Sequence, residues 1–218
     1  IMVMVKAFGY GNGGYEIAKL LEHHKVDYLG VAFADEGIEL RKAGITTPIM
    51  VLNPENSSFN AMIAYNLEPE IYSIRGLHAF LKTAQEQNIS QYPIHIKLDT
   101  GMHRLGFESD AMSALCALLK NNNFVKVKSV FTHLAASDDR NFMAFTQMQF
   151  QRFDTLFSEI EKVITHQPIR HILNTSGIFN YPEKQLEMVR LGIGLYGMAN
   201  SETERNGLEN VSTLKTII

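Results

Sequence analysis

The chain has one cysteine, Cys116, among its 218 residues. No intrachain disulfide can form, and a zinc site of paired cysteines is excluded. The lack of a disulfide framework points to a reducing compartment. An excess of charge of one sign is lacking too: 20 Lys and Arg against 23 Asp and Glu leave a net charge of −3. That balance gives no electrostatic reason to expect nucleic acid or an anionic membrane as a partner. Long hydrophobic runs are absent; Ile1-Met2-Val3-Met4-Val5 already stops at Lys6. Neither a transmembrane segment nor a signal peptide is read. No repeat of 20 to 50 residues and no low-complexity stretch is found. What is present is 45% apolar and 20% charged residues, enough to bury the core of one large domain or two small ones.

Short apolar runs alternate with helical patterns. Strands are expected at 2–6, 27–33, 48–52, 68–73, 94–99, 126–133, 169–173 and 187–191, and helices near 13–23, 35–43, 56–65, 75–88, 108–121 and 141–165. In the last helix Phe153, Leu156, Phe157, Ile160 and Ile164 recur at the spacing of one buried face. Asp138, Asp139 and Asn141 offer its start signals. Ile49-Met50-Val51-Leu52, entered at Pro48, reads as a strand buried on both faces. Repeated strand–helix units give a parallel sheet with right-handed crossovers. Two folds fit, a (β/α)8 TIM barrel and an open doubly wound sheet. The first strand begins almost at residue 1 and Ser212 to Ile218 is again strand-like, so both ends read as cut from a longer polypeptide.

Polar residues favour the barrel. Lys6, Lys97 to Arg104, His133, Asn174-Thr175 and Arg190 all fall at or just past carboxyl ends of expected strands. In a barrel these ends share one rim, and residues 6 and 190 become neighbours. Lys6 closes an apolar run. Desolvation there would favour the neutral amine that attacks a carbonyl, while the bland reading is a lysine reaching out to solvent. Gly9-x-Gly11-x-Gly13 lacks the spacing of a dinucleotide fingerprint. Lys97-Leu98-Asp99-Thr100-Gly101-Met102-His103-Arg104 holds two cations around a glycine turn. If both enter one site they need an anion between or beside them. Asn174-Thr175-Ser176-Gly177 and Leu191-Gly192-Ile193-Gly194 stand where barrels place phosphate, although Asn174 or Thr175 alone reads as a helix cap. Cys116 reads as a packed helix residue and His23-His24 as a solvated helix end, and no metal is expected.

Lys6-Ala7-x-x-Tyr10-Gly11-x-Gly13, Asp99-Thr100-Gly101-Met102-x-Arg104-x-Gly106-Phe107, Thr132-His133, Asn174-Thr175 and Val189-Arg190-x-Gly192-Ile193-x-x-Tyr196-Gly197 together resemble alanine racemase. The resemblance implies a pyridoxal 5'-phosphate (PLP) enzyme built on a barrel. It implies that Lys6 is the Schiff-base lysine and moves a proton at one face of the substrate Cα. Tyr10, Thr175, Gly192 and Ile193 would hold the cofactor phosphate, with Asn174 beside them. Arg190 would face the pyridine nitrogen, supported by His171. His133 would lie behind the ring and Arg104 near the substrate carboxylate. Lys97 matches a position carbamylated in many members, which would supply the missing anion.

The match has departures. Phe8 and Gly9 stand where the motif usually has Asn and Ala, Asn12 replaces a common His, and Thr175 often reads Ser. The family also carries a second, β-rich domain whose tyrosine serves the other Cα face, contributed across a homodimer. The resemblance thus makes residues 1–205 a PLP-binding barrel lacking an outer helix at its N-terminal end, and residues 206–218 the start of a connection. The isolated chain is expected to be inactive, since racemisation needs acid and base on both faces. The product D-alanine would serve peptidoglycan, so the resemblance implies a bacterial cytoplasm. Two alternatives stay open: a stand-alone PLP carrier of the same barrel type, and a racemase for another amino acid such as serine.

Overall fold

In the computed structural model residues 1–211, 213 and 216 are described. The strand-like run expected at 212–218 lies, except for 213 and 216, outside the described residues. The chain forms a (β/α)8 barrel. Its strands are β1 (Met2–Met4), β2 (Tyr28–Val31), β3 (Ile49–Val51), β4 (Leu67–Ile71), β5 (Tyr92–Lys97), β6 (Val125–Phe131), β7 (Ile169–His171) and β8 (Arg190–Leu191). The helices that follow them are α1 (Gly14–His23), α2 (Ala34–Lys42), α3 (Phe59–Ala64), α4 (Ile74–Glu86), α5 (Met112–Lys120), α6 (Met143–Glu161), α7 (Thr175–Asn180) and α8 (Glu202–Asn206).

Neighbouring strands pair in parallel from β7 through β1 to β8. Met2 stands opposite both Tyr28 and Arg190, so the eighth strand returns to the first. The ring closes between β7 and β8 through two backbone bonds, from the Met188 N–H to the Arg170 carbonyl (3.3 Å) and from the Arg190 N–H to the Leu173 carbonyl (3.0 Å). An open doubly wound sheet is thereby excluded.

Alternation along the strands separates two apolar clusters. Val3, Leu29, Ile49, Leu67, Ile94 and Val127 point outward under the helices. Met2, Met4, Tyr28, Met50, Phe131 and Met188 fill the barrel interior. Four methionines suit that interior, because an unbranched thioether fills an irregular space. Cys116 packs against the outer cluster, as read from the sequence.

The strands are shorter than the sequence reading, mostly at their carboxyl ends. β1 stops at Met4, β6 at Phe131 and β7 at His171, because the ladder ends where the chain turns into the rim. β8 is paired only at Arg190 and Leu191; ahead of it the Glu187 carboxylate takes the backbone N–H and guanidinium of Arg170. The helix expected over 141–165 spans Met143–Glu161, behind a 3-10 turn at Arg140–Phe142 that the Asp139 side chain caps.

Candidate functional site

A cavity of about 650 Å3 opens at the carboxyl ends of the strands. Its lining includes Lys6, Tyr10, Lys97, Arg104, His133, Asn174, Thr175, Arg190, Gly192 and Ile193. Every site residue expected from the sequence faces this one space except His171, which lies fully buried behind Arg190. The volume is that of a small-molecule or cofactor site.

Lys6 is presented by an unusual backbone. Ala7, Phe8 and Gly9 have φ of +52° to +61° and ψ of +42° to +49°, and Tyr10 has φ +53°. The chain thus makes a left-handed turn immediately after the lysine. For an L-residue each such position costs about 1–2 kcal/mol, Gly excepted. Glu36, in the first turn of α2, holds the turn in place. Its carboxylate accepts from the Ala7 N–H (2.7 Å), the Ala32 N–H (2.6 Å) and the Phe33 N–H (3.1 Å). An acid in the first turn suits a helix N-terminus; here it also ties that helix to the lysine turn. Lys6 is half-buried, and its amine has no hydrogen bond or ion pair among the described residues.

Arg190 is fixed more tightly. Nη1 donates to His171 Nδ1 (2.8 Å) and to the His171 carbonyl (2.9 Å), while Nη2 donates to the carbonyls of Thr132 (2.6 Å) and Ile172 (3.0 Å). Four of its five N–H groups are thus used; no described residue accepts from Nε. Burial lowers its pKa to about 10, with Glu70 pulling the other way, so it stays a cation at neutral pH.

Behind Arg190 a chain of polar contacts runs down the interior. His171 Nε2 meets Ser129 Oγ (2.8 Å), which meets His95 Nδ1 (2.6 Å). His95 Nε2 meets Glu68 (2.8 Å), which also accepts from the Tyr28 hydroxyl (3.0 Å). Burial, then the Arg190 charge, hold His171 well below its ordinary pKa. A neutral His171 can accept at Nδ1 from Arg190 and donate at Nε2 to Ser129. His95, with no role assigned from the sequence, is part of this chain. The Phe131 ring stacks on His171 with centroids 4.7 Å apart, and lies 5.2 Å from Arg190 Cζ and 5.6 Å from Lys97 Nζ.

The loop after β5 is closed by two bonds, Asp99 N–H to the Phe107 carbonyl (3.0 Å) and Phe107 N–H to the Lys97 carbonyl (2.9 Å). Gly106 permits this approach, since a Cβ there would stand 2.5 Å from Asp99 N. Asp99 caps the loop through the N–H groups of Gly101 and His103. Arg104 is exposed at the cavity mouth and has no hydrogen bond or ion pair among the described residues. Lys97 is buried, and its Nζ lies 3.1 Å from the fully buried Glu70. Burial lowers the Lys97 pKa against the pull of Glu70. Burial raises Glu70 to about 7, against Lys97, Arg190 and Arg104. His133 is depressed to about 3 by burial and by Arg190, Lys97, Arg104 and Lys6.

The loops after β7 and β8 meet at Thr175. Its hydroxyl accepts from the N–H groups of Gly192 (3.1 Å) and Gly194 (3.3 Å). The Asn174 side chain caps α7 by accepting from the Gly177 N–H (2.9 Å), and takes the Ser137 hydroxyl at 2.7 Å. The Tyr10 ring packs at 4.8 Å from Tyr196. The residues missed from the sequence are Glu70, Phe131, Ser129, Glu68 and Glu36. The legible signal was Glu68 and Glu70, two acids at alternate positions of one strand, which must share a face.

Residues 1–200 match the family described as alanine racemase, N-terminal domain. The chain is 34% identical over its whole length to the alanine racemase of Methanococcus maripaludis, covering 59% of that protein. It is 36% identical to that of Clostridium tetani, covering 57% of it. Among solved structures, the alanine racemase of Clostridium difficile 630 in complex with cycloserine matches with a TM-score of 0.88 at 32% identity, over 96% of this chain and 58% of that one. The chain thus spans little more than half the length of the relatives it matches. It belongs to the family of alanine racemase N-terminal domains.

Proposed function

We propose that this chain holds PLP in the rim cavity and serves the interconversion of L-alanine and D-alanine. The observation that carries the reading is one of placement: Lys6, from the first strand's end, and Arg190, from the eighth, face a single cavity beside Tyr10, Thr175 and Gly192. The family's enzymes use PLP, and the residues present fit it. Arg190 keeps one N–H uncommitted and lines the cavity. Gly194 must lack a Cβ, which would strike Thr175 Cγ2, and a Cβ on Gly192 would stand 3.4 Å from the Tyr10 hydroxyl. The Thr175 hydroxyl gathers the Gly192 and Gly194 N–H groups at small residues, a setting that suits a phosphate, and the cations lining the cavity suit an anionic cofactor.

When bound, the cofactor's conjugated ring accepts the electron pair released at the substrate Cα. The chain's own residues bind the cofactor and serve one face of the substrate. Lys6 carries an amine with no competing partner among the described residues and would move the proton on one face of Cα. Arg190, held by four bonds and always protonated, would donate to the ring nitrogen without surrendering a proton to it. Arg104, with no anion beside it among the described residues, would take the substrate carboxylate. His133 stays neutral and can accept a hydrogen bond. Thr175, Gly192, Ile193 and Tyr10 cradle the phosphate, with Asn174 capping the helix beneath.

In this reading residues 1–205 are the cofactor barrel and 206–218 begin a connection. The opposite face of Cα is served from a second domain in a cytoplasmic homodimer, and D-alanine feeds peptidoglycan. Family membership supports this over a stand-alone carrier. Mixing the chain with PLP should give the visible absorbance band of lysine-bound cofactor, absent in Lys6→Ala. Persistence of that band in Lys6→Ala, or turnover of L-alanine by residues 1–218 alone at the rate of a complete racemase, would count against the assignment.

A further inference from the structure

Lys97 and Arg104 flank the turn after β5, and the resemblance to the family assigns their anion to a carbamate on Lys97. The structure offers another anion. Glu70 points into the barrel from β4, fully buried, with Oε1 3.1 Å from Lys97 Nζ. The contact is an ion pair without hydrogen-bond alignment, and Oε2 has no hydrogen-bond donor among the described residues. We infer that Glu70 is the resident anion of this site: its carboxylate holds Lys97 as an unmodified ammonium and takes the place of a lysine carbamate. The inference deepens the functional reading above and rests on it only for the use to which the pocket is put.

Three features support it. Carbamylation joins a neutral amine to carbon dioxide, forming an N–C bond and releasing a proton. At mildly alkaline pH Glu70 is ionised, and its carboxylate 3.1 Å from the nitrogen favours the ammonium, which has no lone pair to react. A carbamate would also place its oxygens about 2.3 Å from Nζ. On one side that sets a second buried anion against Glu70; on another stands the Phe131 ring, 5.6 Å from Nζ. Finally, an anion supplied from β4 to Lys97 leaves Arg104 unclaimed at the cavity mouth, open to a substrate carboxylate. Burial works against the Lys97 ammonium, the Glu70 carboxylate favours it, and the Arg104 and Arg190 cations disfavour it.

Two measurements test the inference, both without cofactor. The folded chain is given 13C-bicarbonate at mildly alkaline pH and the carbamate carbon is sought by 13C NMR, with Lys97→Met as control. The spectrum is expected to match that of Lys97→Met in the carbamate region; a resonance present in the unaltered chain and absent from Lys97→Met overturns the inference. The ammonium of Lys97 is then titrated through 13C-labelled lysine. In Glu70→Gln it should hold its proton at least about tenfold more weakly than in the unaltered chain; an unchanged titration overturns the pairing. Should Glu70→Gln fail to fold, the bicarbonate spectrum decides alone. Failure to bind PLP would sink the functional reading and leave this one standing.

Discussion

Glu68 and Glu70 stand two residues apart on one strand and face the same barrel interior, yet their surroundings are opposite. Glu68 accepts from His95 and Tyr28. Burial works against its charge, but those bonds outweigh it and hold its pKa below the ordinary value. Glu70, one layer nearer the rim, has among the described residues a single ion pair and an oxygen without a donor, and burial drives its pKa up. The contrast extends to whole layers. Below, the contacts run unbroken from Arg190 through His171, Ser129 and His95 to Glu68. Above, the Lys6 amine, the Arg104 guanidinium and the Arg190 Nε–H all lack protein partners among the described residues, and the backbone beside Lys6 is left-handed. A layer with matched polar groups stabilises the barrel; a layer of unmatched ones can bind something else.

The largest effect should come from breaking the lower layer. Glu68→Leu leaves the His95 and Tyr28 donors without their acceptor and should cost about 3–5 kcal/mol in urea unfolding. A loss near zero would deny that layer its structural role.

Glu70 should show the reverse through pH. Its pKa is near 7 when folded and ordinarily 4.5. Between those values the folded state binds more protons, so this group makes stability fall as pH rises, by a total on the order of 3 kcal/mol. Above about 7 its contribution is flat. Urea titrations of Glu70→Gln should lack that decline. Glu68 has the opposite sign: its contribution is fully present above 4.5 and is lost as pH falls through its lowered value.

A smaller effect is expected from Ser129→Ala, which leaves one buried donor of His171 unmatched, about 1–3 kcal/mol by thermal melting. Smallest is a gain in the upper layer. Phe8 is exposed and holds a left-handed conformation that Asn adopts more readily. Phe8→Asn should stabilise the chain by about 1 kcal/mol, and a destabilised Asn variant would show that the Phe8 ring matters more than its backbone.

Much of the rim was legible in the sequence because cations after apolar runs are conspicuous. Lys6, Lys97, Arg104, His133, Thr175 and Arg190 were placed at strand ends, and a closed ring was the arrangement that brought 6 next to 190. The interior was harder to read. Glu68, Glu70, His95 and Ser129 sit inside strands, and their roles depend on which strands become neighbours. Glu70 meets Lys97 because β4 pairs with β5. The left-handed turn was hidden for a different reason: Ala and Phe are residues that avoid it, and Glu36, which holds it, lies 29 residues from Ala7. Strand ends were overrun because apolar side chains continue past the last ladder bond.

The most direct test of the account is chemical. Borohydride reduction of the chain with PLP, followed by peptide mapping, should fix the cofactor on Lys6. Attachment to another lysine, or none at all, would contradict it.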